Sequence, residues 1–138
     1  MAVYNKFHPF VEAEAEGKHN LGANVLKVML TNTAPLPANA VKADITEIAA
    51  AGGYTAGGAV ATTTSSAQTG GVYKLVIADV VFTATGTIGP FRYAVLYNDT
   101  AAAKDLIAWW DYGSSLTLNA GETFTIDFDP STGVLTVT

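Results

Sequence analysis

The stretch Ile88 to Tyr112, IGPFRYAVLYNDTAAAKDLIAWWDY, constrains the fold more than any other part of the chain. Two apolar, aromatic and β-branched runs, Phe91 to Tyr97 and Leu106 to Tyr112, flank a polar segment holding Asn98, Asp99 and Lys104. That is the pattern of two long antiparallel strands joined by an exposed loop. The hairpin carries both tryptophans and the only arginine, together with Phe91, Tyr93, Tyr97 and Tyr112, and so supplies much of the material for a core. The rest of the chain has to cover it.

At 138 residues the chain has the length of one domain, 1–138, able to bury roughly two thirds of its unfolded surface. Hydrophobic residues make up 49% and charged residues only 14%, against about a quarter in an ordinary globular domain. Large areas of surface must therefore be neutral. Net charge is −5 and the seven basic residues are spread singly, which argues against direct binding of a nucleic-acid backbone. The absence of cysteine excludes disulfides, thiolate zinc sites and a cysteine nucleophile. The segment MAVYNKFHPFVEAEAEGKHN lacks a basic region followed by an apolar run, and Glu12, Glu14 and Glu16 argue against a signal peptide. No stretch approaches the ~20 apolar residues of a membrane helix. Synthesis and folding in a cytoplasm are expected.

Taken in order, Tyr4 to Lys18 has helical spacing at Phe7, Phe10, Val11 and Ala15, with Asn5 as its cap, Pro9 in the first turn and Gly17 as its stop. Val25 to Leu30 reads as a strand and Thr31 to Ala40 as a loop. Asp44 to Glu47 resembles a capping box opening a second short helix that Gly52 and Gly53 end. Tyr54 to Gly71 is an exposed strand or a mobile loop. Val72 to Ile77 and Asp79 to Thr85 form one bent strand or a strand broken by a bulge. A short Leu116 to Leu118 strand follows the hairpin. Glu122 to Phe128 then alternates, with Phe124, Ile126 and Phe128 on one face, and Val134 to Thr138 ends the chain as a strand. Eight or nine strands with two small helices in the N-terminal third, without βαβ alternation, predict a mainly β fold. An antiparallel two-sheet, jelly-roll-like sandwich fits best, with an immunoglobulin-type sandwich as the nearest rival.

No catalytic constellation emerges. His8 and His19 lack the further ligands a metal site needs, and read as surface or capping residues. Asp111 with Glu122, and Asp127 with Asp129, are the pairs that could imitate glycosidase carboxylates, but they read as solvated faces and turns. Asp129 to Gly133 lacks the ligand spacing of a calcium loop. No catalytic, cofactor or metal residue is assigned. Trp109 and Trp110 are adjacent on a strand and point to opposite faces; an outward ring could stack on a sugar or anchor a partner, or one ring fills the core and the other lies beneath a loop.

Three segments, YNKFHPFVEAEAEGKHNLG, VLKVMLTNTAPLPANAVKADITEIAAAGGYTAGG and GPFRYAVLYNDTAAAKDLIAWWDYGSS, resemble small structural proteins of tailed double-stranded DNA phages and prophages. LTNTAP, ITEIAAAGGYTAGG and the FRYAVLYND to WWDYG hairpin carry most of that resemblance. It implies a jelly-roll cement or decoration protein on the outside of a capsid, partnered by the major capsid protein and forming a dimer or trimer on the particle. Neck, tail or fibre roles, and carbohydrate binding, are the alternatives. It implies no catalytic residue and no cofactor. The low charge and mild acidity suit an exterior position touching several neighbours. Tyr4 and the segment containing Tyr54, Thr62 and Thr64 are the expected protein interface.

Overall fold

The computed structural model describes residues 3–138, which form ten strands and one α-helix. At its centre is the expected hairpin, β7 (Ile88–Asn98) with β8 (Leu106–Leu118). It is extended by β1 (Val3–Lys6) beyond β8, and by β2 (Leu26–Thr31) and β3 (Ala59–Ala61) beyond β7, into a five-stranded sheet ordered β1-β8-β7-β2-β3. Two smaller sheets complete the fold. One has the order β10-β5-β4, from β4 (Thr63–Thr69), β5 (Val72–Ile77) and β10 (Leu135–Val137); the other pairs β6 (Val80–Thr83) with β9 (Thr123–Ile126). Every pairing is antiparallel. The architecture is mainly β and sandwich-like, with three sheets in place of the expected two.

The central strands are apolar on both faces because both faces are covered. Cross-strand neighbours share a face, so Trp109, Val95 and Met29 lie on one side and Trp110, Ala94 and Leu30 on the other. All six are buried. The first side is covered by Phe7, whose ring lies 4.5 Å from that of Trp109, and by the irregular segment leading to β3, where Tyr97 donates to Gly57 O at 2.6 Å. On the second side Trp110 meets Tyr4 at 5.7 Å and Phe128 at 5.3 Å, both edge-on. Leu75, Ile77, Val80, Phe82 and Ile126 of the smaller sheets join the same hydrophobic cluster. Each fully buried side chain of this size contributes roughly 1.5–3 kcal/mol, so the two-sided hairpin dominates the stability.

The N-terminal helix differs from expectation. It is α1 (His8–Ala15), and Val3 to Lys6 is instead a strand paired to the free edge of β8, with Tyr4 opposite Trp110. An open edge beside an aromatic ring outweighs the helical spacing of these residues. Asn5 does not cap the helix; its side chain donates to Val3 O, and Phe7 occupies the N-cap position without a side-chain bond. Phe7 and Phe10 are buried, whereas Val11 is exposed.

The second expected helix is a single 3-10 turn, Lys42–Asp44. Asp44 accepts from the N–H groups of Ala40 and Val41, closing the turn backwards, while Glu47 leaves it altogether. The reason lies in β2, which β3 pairs only as far as Val28. Beyond that point Ile48 N–H donates to Leu30 O, and the Tyr54 hydroxyl accepts from Leu30 N–H at 3.0 Å while donating to Glu47 Oε2 at 2.6 Å. Glu47 also accepts from Gly57 N–H and Lys42 Nζ. Gly58, at φ +82, then passes so close to β2 that a Cβ would sit 1.8 Å from Val28 O. Val72 to Thr83 is neither one bent strand nor a bulged one, since β5 and β6 belong to different sheets. Leu116 to Leu118 is continuous with β8.

Tyr54→Phe should therefore remove one acceptor from Leu30 and one donor from Glu47 without altering packing. We expect unfolding free energy in urea to fall by about 1–3 kcal/mol with an unchanged circular dichroism spectrum. A loss below about 0.5 kcal/mol would mean that the β2 edge does not depend on this hydroxyl.

Candidate functional site

The residues expected at an interface separate into different environments. Tyr4 is 41% exposed with one ring edge on Trp110, and Thr62 and Thr64 are exposed at the start of β4. Tyr54 is not available to a partner: it is 3% exposed and bonded to Leu30 and Glu47. Trp109 and Trp110 do point to opposite faces, but neither is exposed, because both faces are covered. The sequence shows the alternation of the two rings. It does not show what the remote Phe7 and Phe128 place over them.

Trp110 nonetheless forms part of a cleft of about 560 Å³, with Tyr4, Tyr112, Thr125, Asp127, Phe128 and Asp129 among its lining. Tyr112 and Phe124 meet edge-on at 4.9 Å, and burial pushes the Tyr112 hydroxyl up to about 12. Aromatic walls with a few carboxylate and hydroxyl groups are the usual materials of a small-molecule cleft. The cleft does bring Asp127 and Asp129 together. Asp129, however, accepts from the hydroxyl and N–H of Ser131, which hold its carboxyl below the usual range. Glycoside hydrolysis needs an acid held above that range. In the other pair, Asp111 is engaged by Arg92 at 2.8 and 3.2 Å and by Gly113 N–H at 2.7 Å, and Arg92 is the first cause of its lowered pKa. Glu122 accepts from Asn119 N–H in the turn before β9.

His8 is exposed, as a surface residue should be, but His19 is buried, and this corrects the surface reading. Asn98, the last residue of β7, orients it. Its Oδ1 accepts from the N–H groups of Thr100 and Ala101, which fixes the amide so that Nδ2 faces His19 Nδ1 at 3.0 Å and Asn24 Oδ1 at 2.8 Å. An amide NH2 can only donate, so His19 Nδ1 accepts and its proton sits on Nε2. Phe10 covers the ring at a centroid distance of 5.1 Å. Burial lowers the His19 pKa, opposed by Asp105 and assisted by Lys18. The polar flanks of His19 conceal this position, and its partner lies 79 residues away. Among the described residues no three His, Cys, Asp or Glu side chains gather as metal ligands, and no helix is long and apolar enough to cross a membrane.

Comparison with family models, with curated proteins and with solved structures finds no match to this chain.

The buried imidazole gives a pH dependence with a definite sign. The unfolded chain takes up a proton on His19 near pH 6.5 and the folded chain only at lower pH, so stability is lost as pH falls below about 6.5. Urea midpoints measured from pH 7.5 to 5.5 should decline (about one to two units of pH around the histidine range), and His19→Gln should flatten the decline. An equal slope in the variant would remove His19 as its source.

Proposed function

We propose that the chain is a non-enzymatic virion structural protein of a tailed phage, a cement or decoration protein that docks on the outside of the capsid shell and ties major capsid subunits together. The reading rests on the phage-like motifs LTNTAP, ITEIAAAGGYTAGG and FRYAVLYND to WWDYG, and on a jelly-roll-like assignment of the sandwich. One observation of the surface carries it. From Ile48 to Tyr73 there is no charged side chain, and this stretch contains β4, an outermost strand hydrogen-bonded only to β5. Soluble proteins blunt such edges with lysine, proline or inward charge, and β4 has only the bulge between Thr63 and Ser65. A free edge of Thr, Ser, Ala and Gln offers backbone donors and acceptors to a neighbour at little desolvation cost. Val60 and Val72 add exposed apolar surface nearby in the sequence. Contacts repeated around a symmetry axis, in a dimer or trimer on the particle, would make individually weak edges sufficient.

Thr62→Lys with Thr64→Lys tests the reading on particles lacking the protein. The double variant should keep its circular dichroism spectrum but bind shells at least about tenfold more weakly, and particles carrying it should release DNA at lower temperature. Full occupancy would move the contact elsewhere, and equal heat stability of particles with and without the protein would remove the cementing role.

The aromatic cleft favours a second reading, a carbohydrate-binding component of a tail, fibre or neck, with Tyr4 and Tyr112 flanking a bound sugar. Binding on a glycan array that Tyr112→Ala abolishes would establish it. An array without signal for the native chain would dismiss it.

A further inference from the structure

Two buried polar side-chain atoms have no hydrogen-bond partner among the described residues, Oε2 of Glu14 and Nε2 of His19. Folded proteins rarely leave such atoms unpaired. Both residues line one cleft of about 460 Å³, between the α1 to β2 connection and the sheet β10-β5-β4. Its other walls include Leu21, Ser66, Tyr73 and Val137. A volume of this size falls within the range of small-molecule sites.

The chemistry of the two atoms restricts what can enter. Asn98 fixes the proton on His19 Nε2, so that atom is a donor with no lone pair for a metal ion. A cation would meet this N–H, and an anion would meet the Glu14 carboxylate. An apolar guest would leave both atoms buried and unpaired. What satisfies them is an uncharged group that accepts on one side and donates on the other, as a hydroxyl does. Ser66 Oγ and the Tyr73 hydroxyl, 2.8 Å apart, add two more groups able to accept or donate. Leu21, Val137 and the Tyr73 ring supply apolar surface suited to the C–H face of a pyranose.

We propose that this cleft binds a neutral monosaccharide, whose hydroxyls accept from His19 Nε2–H and donate to Glu14 Oε2. The site takes Ser66 from β4 but neither Thr62 nor Thr64, and it shares no residue with the aromatic cleft.

The experiment uses the full chain labelled with 15N at histidine, titrated with glucose, N-acetylglucosamine and, as a control, glycerol. The free protein should show His19 as the Nε2–H tautomer, and one of the two sugars should shift that resonance saturably. Glu14→Ala should weaken sugar binding at least about tenfold while leaving the unfolding midpoint unchanged or raised, because it removes a carboxylate oxygen that bonds to nothing in the fold. Tyr112→Ala, in the other cleft, should leave the sugar-induced shift of the His19 resonance intact whatever its effect on glycan binding there. The proposal is overturned if His19 carries its proton on Nδ1, or if neither sugar moves the resonance at tens of millimolar, which would leave solvent alone between the two atoms. It is equally overturned if glycerol binds as well as the sugars, an adventitious additive only, if Glu14→Ala binds normally, or if Tyr112→Ala abolishes the effect.

Discussion

A hairpin that is apolar on both faces cannot be half covered, and this requirement shapes the rest of the chain. Tyr93 to Asn98 and Leu106 to Trp110 are buried without interruption, so successive side chains, which point to opposite faces, all need neighbours. The two faces are covered in different ways. On the Trp110 side the ring meets Tyr4 of the edge strand β1 and Phe128, two residues beyond β9, with strands of the two smaller sheets in the same cluster. The Trp109 side is covered by Phe7 ahead of α1 and by a segment with only a 3-10 turn and two isolated bridges. Irregular backbone against a core must satisfy its polar groups individually.

That obligation explains the carboxylate of Glu47. It receives the Tyr54 hydroxyl, the Gly57 N–H and Lys42 Nζ, and the hydroxyl in turn completes the edge of β2 at Leu30. Three donors thus converge on one side chain, and Tyr54 carries the link on to β2. Burial and the Glu47 bond both push the Tyr54 pKa far up, so the hydroxyl keeps its proton at any ordinary pH and the donor to Glu47 persists. Lys42 completes the cluster with a salt bridge of 3.2 Å, and its partly shielded position makes the contact stronger than an exposed pair.

Much of this is legible in the sequence, and where reading fails the reason is tertiary. The hairpin and β2 follow from their apolar, β-branched runs, and β9 and the C-terminal strand from alternation. Phe124, Ile126 and Phe128 face inward as their spacing requires, half-buried in the first case and buried in the others. Tyr4 to Lys6 was indistinguishable from the start of a helix because the decisive fact, a vacant edge on β8, lies a hundred residues away. Asp44 to Glu47 carries the letters of a capping box, yet Asp44 turns back on Ala40 and Glu47 goes to Tyr54. The exposure of the residues expected at an interface is legible only in part. Thr62 and Thr64 lie at the surface as a threonine-rich run suggests, whereas Tyr54, in the same uncharged stretch, is drawn inward by its hydroxyl. Spacing does not reveal His19 as a buried donor, since what defines it is Asn98 fixing its proton from the far end of β7.

The scarcity of charge and the location of the β4 edge are connected. Five of the seven basic residues, Lys18, Lys27, Lys42, Arg92 and Lys104, form ion pairs within the fold, with Asp105, Asp99, Glu47 and Asp111 as their partners. Lys74 donates to Ser131 O, tying β5 to the turn before β10. The charges so placed secure the hairpin loop, the irregular cover and the turns, Lys6 lies on β1, and no charge falls on the strand between Thr63 and Thr69. Those of the pairs that are largely exposed add only about 0–1 kcal/mol each, so stability alone does not require that distribution. Its larger effect is on the surface it leaves behind. An uncharged strand loses little on being dehydrated once a neighbour's backbone takes up its free N–H and C=O groups, and the same strand with one lysine at its centre would resist a neighbour.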